Sequence, residues 1–350
     1  MSSHRDLRIR AALAVIALWA CKGGNPPPAK TDDVGGAAPR ASGAPSPAPP
    51  GASVPPAPTV TEKRTANVVF EEPKLDLPKQ ESFQLVDPGK GERAVLRYAL
   101  APGTVAFIAE TTLQTRHLDK GVFTTPVVLP AIRDGFGITF AVDRPGRLAL
   151  LPLAATAARQ SLDADSYLMP WRSLLQNRRI TLTVDERGAF SSIVFNDDPT
   201  NTRSTQARDE LVQRLLTLIV PVPAEPVAPG ASWRVVTILR QGPIYAKQTA
   251  TYTLTSSTAT SWKLHAKLQR VGEEQRITDP AMPSSTTVDL VALFRVLEGD
   301  VEVDPQQPLI VGGGLTIESR LHVKLQSPGQ SVAQEQIFED TGKAAFFRQP

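Results

Sequence analysis

The feature that most constrains this chain is a strict alternation of apolar and polar residues in several separate segments. From Trp262 to Gln269, and again from Arg320 to Gln326, apolar side chains occupy every second position. Successive side chains of a β-strand point to opposite faces, so this period indicates strands with one buried and one hydrated face. One-sided burial is typical of antiparallel sheets, because parallel sheets are covered on both faces. The pattern therefore predicts a mainly β protein.

Turn signals in the N-terminal half favour the same fold class. Short strands are expected between Arg93 and Ala155, separated by Pro102-Gly103, Asp119–Gly121, Arg133–Gly135 and Arg144–Gly146. These intervals leave no room for crossover helices, so neighbouring strands are expected to pair antiparallel. In the other half, Gly312 to Gly314 fall inside a predicted strand, where glycine permits a bulge or a sharp bend.

One amphipathic helix is predicted near the middle of the chain, after a hairpin of strands Ile180–Val184 and Ala189–Phe195. Within Gln206–Ile219, one helical stripe carries Leu211, Val212, Leu215, Leu216 and Ile219. A stripe with this spacing covers an apolar surface, so we expect a helix over about 205–220 to pack on the sheet. Pro221 and Pro223 end it.

These patterns together predict a mainly β, α+β domain over 65–350. Its centre is expected to be one large curved antiparallel sheet or incomplete barrel, with the single helix lying on it. The strands fall into two halves, 82–198 and 230–340. The halves are candidates for a diverged duplication, although no repeat can be aligned between them.

The first 21 residues predict how the chain is exported. Three arginines precede an apolar stretch, Ala11–Leu18, that is too short to span a bilayer. The passage Leu18-Trp-Ala-Cys21 then resembles the lipobox of bacterial lipoproteins, with Trp19 where a small residue is usual. The resemblance implies a signal peptide over 1–20 and lipidation of Cys21 by acyl groups such as palmitate. An ordinary secretory signal with an incidental cysteine is the alternative.

The resemblance also implies where the protein is found, namely tethered to the membrane of the cell envelope through Cys21. Residues 21–64 follow as a Pro- and Ala-rich linker that is expected to be disordered. Lys22 stands where some bacteria place the Asp that retains lipoproteins in the inner membrane, which favours the periplasmic side of the outer membrane. The formal net charge is only +3, which gives no electrostatic reason to expect nucleic acid binding.

The sequence carries no recognisable catalytic, metal-binding or cofactor motif. His117, His265 and His322 are not spaced as metal ligands on one element. Neither Gly-x-Ser-x-Gly nor Ser-x-x-Lys occurs, and adjacent acids such as Asp197-Asp198 would point to opposite faces of a strand. We therefore predict no catalytic residue, no cofactor and no metal ion.

Three functional hypotheses remain, and a non-enzymatic binding or scaffold module for a lipid or other apolar ligand ranks first. Its ligand groove is predicted at Leu211, Leu215, Ile219, Trp233 and Trp262. A structural partner of other envelope proteins ranks second and predicts an exposed apolar patch. A hydrolase acting on envelope polymers ranks third. It would require a concave cluster of two acids, or of an acid with His117, with shifted pKa values.

A short passage adds a second resemblance. Glu225-Pro-Val-Ala-Pro-Gly-Ala-Ser-Trp233 is similar to a passage in uncharacterised bacterial envelope lipoproteins. That group implies no activity, so the resemblance supports the envelope location and leaves the three hypotheses open.

Overall fold

The structure is a computed structural model that describes part of the chain. The described residues are 79–100, 102–120, 125–129, 131–144, 147–151, 180–194, 215, 217–241, 244–277, 286–307, 309–327 and 332–349. The predicted signal peptide, Cys21, the linker and the N-terminal part of the predicted helix lie outside them. Among the described residues, no helix has the length and apolar character needed to cross a bilayer.

One large antiparallel sheet of fourteen strands dominates the described residues, which confirms the prediction of a mainly β protein built on a large antiparallel sheet. The strands are β1 Lys79–Asp87, β2 Gly103–Lys120, β3 Val127–Val128, β4 Ile132–Arg144, β5 Arg147–Leu151, β6 Ile180–Val184, β7 Phe190–Val194, β8 Ser232–Gln241, β9 Ile244–Ser257, β10 Trp262–Gly272, β11 Gln275–Ile277, β12 Thr287–Val303, β13 Ile310–Gln326 and β14 Gln334–Gln349. The spatial order is β1-β8-β9-β10-β12-β13-β14-β2-β4-β5-β6-β7, with β11 beside β12 and β3 beside β2.

Three details of the sequence prediction are wrong. Asp119 and Lys120 do not form a turn but end β2, paired with Gln336 and Glu335. Arg93–Leu100 is not a strand and makes only an isolated bridge from Ala94 to Val227, because its backbone bonds to turns and loops instead of a strand. Arg133–Gly135 is not a turn. It lies inside β4, where the eighteen-residue strand β2 offers pairing partners along its length and Gly135 pairs with Glu110. The β6–β7 hairpin is confirmed, with Gly188 at a φ of 79°.

Nearly all buried strand side chains lie on one face of the sheet, which we call the inner face; Ile337 of β14 is buried on the other. On β10 the buried residues are Trp262, Leu264, Ala266 and Leu268, as the alternation predicts. Two apolar clusters cover this face. The larger one contains Trp233, Trp262 and the end of the predicted helix region, and the smaller one contains Leu239, Leu321 and Phe338.

A bulge in β12 keeps its whole length on the inner face. Pairing with β13 shifts by one residue between Leu290 and Ala292. Val288 and Leu290 are buried on even positions before the shift, and Leu293 and Leu297 on odd positions after it. A single inserted residue therefore corrects the alternation, which would otherwise turn half of the strand outward.

Non-strand segments link the β6–β7 hairpin, which ends the strand order, to residues that pack on β10. The Tyr98 backbone N–H donates to the Glu186 carbonyl at 2.8 Å, and the Val222 N–H donates to the Arg187 carbonyl at 2.9 Å. The Tyr98 phenol donates to the Val220 carbonyl at 2.9 Å, and its ring packs edge-on to that of Trp262 with centroids 5.1 Å apart. Strands that are far apart in the sheet order therefore share one core.

The end of the predicted helix region packs in this core. Leu215, Thr217 and Leu218 have helical backbone, and the Ile219 N–H donates to the Leu215 carbonyl at 3.0 Å. Leu215 and Ile219 are fully buried in the larger cluster. The helix over the rest of 205–220 stays a prediction.

Gly313 shows why the central strands need glycine. The predicted irregularity at Gly312–Gly314 is present, as a register shift beside Gly312 and a φ of 99° at Gly313. A Cβ at Gly313 would overlap the Asp300 carbonyl oxygen on the neighbouring strand. Gly91 has a similar φ of 106°, but no atom lies within 4 Å of its Cβ position. A comparison of the two glycines therefore separates the steric cost of an added Cβ from the cost of the left-handed backbone.

We expect Gly313→Ala to destabilise the fold much more than Gly91→Ala. The left-handed backbone alone costs about 1 kcal/mol, whereas the overlap with a ladder carbonyl forces β12 and β13 apart and should cost more than about 3 kcal/mol. Thermal unfolding of both variants, followed by circular dichroism, measures the difference. Equal losses of melting temperature would contradict the assignment of close strand contact at Gly313.

Candidate functional site

A row of polar side chains crosses the inner face, one residue from each of seven adjacent strands. The strand register places them side by side in the order Thr237, Gln248, Arg270, Arg295, Ser319, Asp340, Thr115. We call this set the polar row. Each member occupies the phase of its strand that carries buried apolar residues elsewhere, so the polar row is part of the inner face.

The polar row divides the two apolar clusters. Two residues before or after each row member, on one side of the row, the strands carry apolar residues of the larger cluster: Val235, Ala250, Leu268, Leu297 and Ile317. At the same distance on the other side, the strands carry apolar residues of the smaller cluster: Leu239, Ala246, Leu293, Leu321 and Phe338. A continuous apolar core would satisfy the folding requirement, so the polar row is the feature of the interior that folding alone does not explain.

Arg270 and Arg295 stand directly opposite each other in the polar row. Arg270 is buried and its Nη2 donates to Gln248 Oε1 at 2.8 Å. Burial, together with the charge of Arg295, lowers the pKa of Arg270 to about 9. Like charges opposite each other destabilise a sheet pair, so this pair places concentrated positive charge in the interior.

At the other end of the row, Thr115 and Asp340 form a satisfied pair, because the Thr115 hydroxyl donates to Asp340 Oδ1 at 2.7 Å. Beyond them lie three further buried polar residues, His117, Asp119 and Gln336, which we call the inner polar cluster. His117 and Asp119 are two positions apart on β2, and Gln336 pairs with Asp119 across β14.

The inner polar cluster is closed from solvent and incompletely hydrogen-bonded. The exposed fractions are 3% for His117, 1% for Asp119 and 1% for Gln336. In this cluster, three atoms have no hydrogen-bond partner among the described residues: His117 Nε2, Asp119 Oδ1 and Gln336 Oε1. The one contact inside the cluster is long, from Gln336 Nε2 to Asp119 Oδ2 at 3.5 Å. Each buried polar group left unsatisfied costs about 1–3 kcal/mol.

Burial acts on the two titratable groups of the cluster in opposite directions. It lowers the pKa of His117, against the attraction of Asp119, so the neutral imidazole is favoured. It raises the pKa of Asp119, against His117 and the Gln336 hydrogen bond. The His117 ring also stacks on Phe338, with centroids 4.5 Å apart. Both shifts disfavour the charged forms, and the site sets these polar groups against an apolar wall.

Four of the five predicted groove residues lie together in the larger apolar cluster. Leu215, Ile219, Trp233 and Trp262 are all buried there, and the indole of Trp233 donates to the Pro221 carbonyl at 2.7 Å. Leu211 lies outside the described residues. Burial of these four residues in one cluster is expected both for ordinary core packing and for an interior groove. The groove therefore stays a prediction.

The other two histidines lie on the outer face among acids. His265 Nδ1 is 2.9 Å from Asp300 Oδ1, and this hydrogen bond raises the pKa of His265. His322 Nε2 is 3.1 Å from Glu335 Oε2. Within the part of the chain that the structure describes, no group of three or more His, Cys, Asp or Glu side chains is placed to hold a metal ion.

The sequence contained a signal for this site that the prediction did not use. Arg270 continues the buried phase of Leu264, Ala266 and Leu268, and His117 and Asp119 continue that of Leu113. Polar residues that fall in the apolar phase of a strand mark interior polar positions. Their assembly into a row could not be inferred, because it depends on the register of seven strands.

Comparisons with known proteins assign no family to this chain. No protein-family model matches it, and no curated protein matches it. Among solved structures, one described as "Crystal structure of the receptor binding domain" aligns over 70% of this chain and 82% of its own, at 7% identity and a TM-score of 0.13. A likeness at that level carries no argument about fold or function.

We expect Asp119→Asn to raise the melting temperature at pH 7, and this gain to shrink as the pH falls to about 4. The raised pKa of Asp119 means that the folded state disfavours the ionised carboxylate. That penalty is complete above the folded-state pKa and disappears below the ordinary carboxyl value. Asparagine keeps the shape and removes the charge.

Thermal unfolding between pH 4 and pH 8 tests this expectation, with Glu92→Gln as the control because Glu92 is exposed. The control should change the melting temperature little at any pH. A loss of stability for Asp119→Asn that does not depend on pH would show that the carboxylate is stabilised in the fold.

Proposed function

We propose that this protein is a non-enzymatic binding module of the bacterial cell envelope, tethered by lipidated Cys21, that takes a lipid or another amphiphilic ligand into its interior. The polar row is the observation that carries the proposal. It places arginine, serine, threonine and glutamine side chains between two apolar clusters, which is the arrangement that a ligand with both polar and apolar parts requires.

The stability cost of this interior supports a binding role. The three unpartnered side-chain atoms of the inner polar cluster lower the stability of the fold, each by about 1–3 kcal/mol. Proteins retain such groups where function requires them, because binding sites are optimised for the ligand and not for the empty fold.

The finer features of the predicted architecture belong to the same proposal. We propose that the whole of 205–220 is a helix lying on the inner face, so that Leu211 joins Leu215 and Ile219 beside Trp233 and Trp262. We also propose that the sheet is an incomplete barrel. In the strand order, β2–β7 form one consecutive group and β8–β14 form the other, and β1 pairs with β8 at the far end. A duplication of two halves stays a prediction.

A hydrolase is the second candidate, and one observation favours it. His117 and Asp119 form a buried pair whose pKa values are shifted, as the enzyme hypothesis requires. Their exposed fractions of 3% and 1%, however, place both side chains inside the core, out of reach of an envelope polymer. Hydrolysis of an added ester or glycoside substrate that is abolished by His117→Gln would favour the enzyme over the binding module.

Native mass spectrometry of the full chain, purified from membranes in mild detergent, tests the proposed function. We expect an added mass that is lost on denaturation and is identified as an amphiphile. Covalent acyl groups on Cys21 would survive denaturation, so the two kinds of lipid are distinguished. A chain with no such added mass, which also fails to acquire one from added envelope lipids, would remove the proposal and favour a structural partner of other envelope proteins.

The tether makes a separate prediction. Cys21→Ser should move the protein from the membrane fraction to the soluble periplasmic fraction and remove the acyl mass, because thioether-linked lipid is the proposed anchor. Cell fractionation and intact mass measurement report the two effects. Retention of the variant in the membrane fraction after a salt wash would show that another part of the chain is the anchor.

A further inference from the structure

We propose that the inner polar cluster, His117, Asp119 and Gln336, binds the polar end of the ligand and selects a neutral head that carries hydroxyl groups. This inference rests on the proposed function, because it assumes that an amphiphile enters the interior. It adds the chemical class of the head and the residues that recognise it.

The first step is the hydrogen-bonding character of the unsatisfied atoms. Gln336 Oε1 can only accept a hydrogen bond, and Asp119 Oδ1 accepts one whenever the carboxyl group is ionised. His117 Nε2 accepts in one tautomer of the neutral ring and donates in the other. A complementary group must therefore supply at least two donors, and a pair of hydroxyl groups does so.

The orientation of the Gln336 amide supports this assignment. Its Nε2 faces Asp119 Oδ2 at 3.5 Å, which leaves Oε1 for another partner. The reversed amide would set its carbonyl oxygen against an ionised carboxylate, so two acceptors would face each other. The amide therefore presents its acceptor oxygen away from Asp119 and without a hydrogen-bond partner.

The same groups disfavour an anionic head. A phosphate or carboxylate group would bring further acceptor oxygens against Asp119 and Gln336 in a region closed from water. The arginines belong to another part of the inner face, because the Arg295 backbone is three strands from that of His117, about 14 Å at the usual strand spacing. A single head group does not span that distance.

The surroundings define the rest of the ligand. Phe338 stacks on His117 and belongs to the smaller apolar cluster with Leu321 and Val323. An apolar chain attached to the hydroxylated head would meet this wall directly. The ligand class is therefore an amphiphile such as an acylglycerol, with its hydroxyl groups at the cluster and its chain along the apolar face.

Three probes with the same acyl chain test the head selectivity: monolauroylglycerol, methyl laurate and laurate. The first carries two hydroxyl groups, the second carries none, and the third is anionic. Binding of each to the full chain in amphipol is measured by native mass spectrometry. We expect monolauroylglycerol to bind at least about tenfold more tightly than methyl laurate, since a site built for hydrogen bonding rejects analogues that lack the donors.

Substitutions then locate the selectivity. Gln336→Leu should abolish most of the preference for monolauroylglycerol while leaving methyl laurate binding nearly unchanged. Gln307→Leu is the matched control, because Gln307 is also buried with an unpartnered Oε1 but lies in the turn between β12 and β13. Asp119→Asn, which keeps the side-chain shape, should weaken the preference if Gln336→Leu proves too unstable to purify.

The outcomes separate this inference from the proposed function. Equal binding of monolauroylglycerol and methyl laurate would overturn the head assignment and leave the binding module intact, with the three atoms satisfied by water only. Tightest binding of laurate would also overturn it and would implicate the arginines of the polar row. If the wild-type chain binds none of the three probes and no envelope lipid, the proposed function fails and the inference fails with it.

Discussion

The structure depends on how a single antiparallel sheet keeps one of its faces away from water. Its central strands β12, β13, β14 and β2 are sixteen to eighteen residues long, and each presents apolar side chains on the same face. No described helix is large enough to cover that face. Strands from distant parts of its order instead pack around one core, and hydrogen bonds from Tyr98 and Val222 to the β6–β7 turn hold them there.

A few residues keep the apolar side chains of the long strands on the inner face and let those strands pair closely. The bulge at Val291 restores the inward phase of β12, and Gly313 allows the backbones of β12 and β13 to approach closely. These positions are where a change of one residue, or of one methyl group, alters the pairing of whole strands. They also determine which side chains become neighbours on the inner face, and therefore determine the candidate site.

The inner face contains apolar clusters that stabilise the fold and polar side chains that folding does not require. The apolar clusters provide the hydrophobic stabilisation, whereas the polar row and the inner polar cluster reduce it through opposed charges and unsatisfied hydrogen-bonding groups. The inner polar cluster contributes three such atoms, on His117, Asp119 and Gln336, and it lies beside the smaller cluster at the β2 end of the row. An interior with polar groups at a defined place along an apolar surface can orient an amphiphile, which a uniformly apolar core cannot do.

The sequence by itself determined the strand character of segments such as Trp262–Gln269, the β6–β7 hairpin and the glycine irregularity at Gly312–Gly314, because side-chain alternation and turn residues act locally. It did not determine that Arg93–Leu100 is a connection, since that depends on which backbone groups come near it. Only the tertiary structure decided that Thr237, Arg270, Arg295 and Thr115 share one row, and that Asp119 faces Gln336. Those neighbours lie far apart in the chain, and their juxtaposition follows from the register of seven strands, which bulges set and no local pattern encodes.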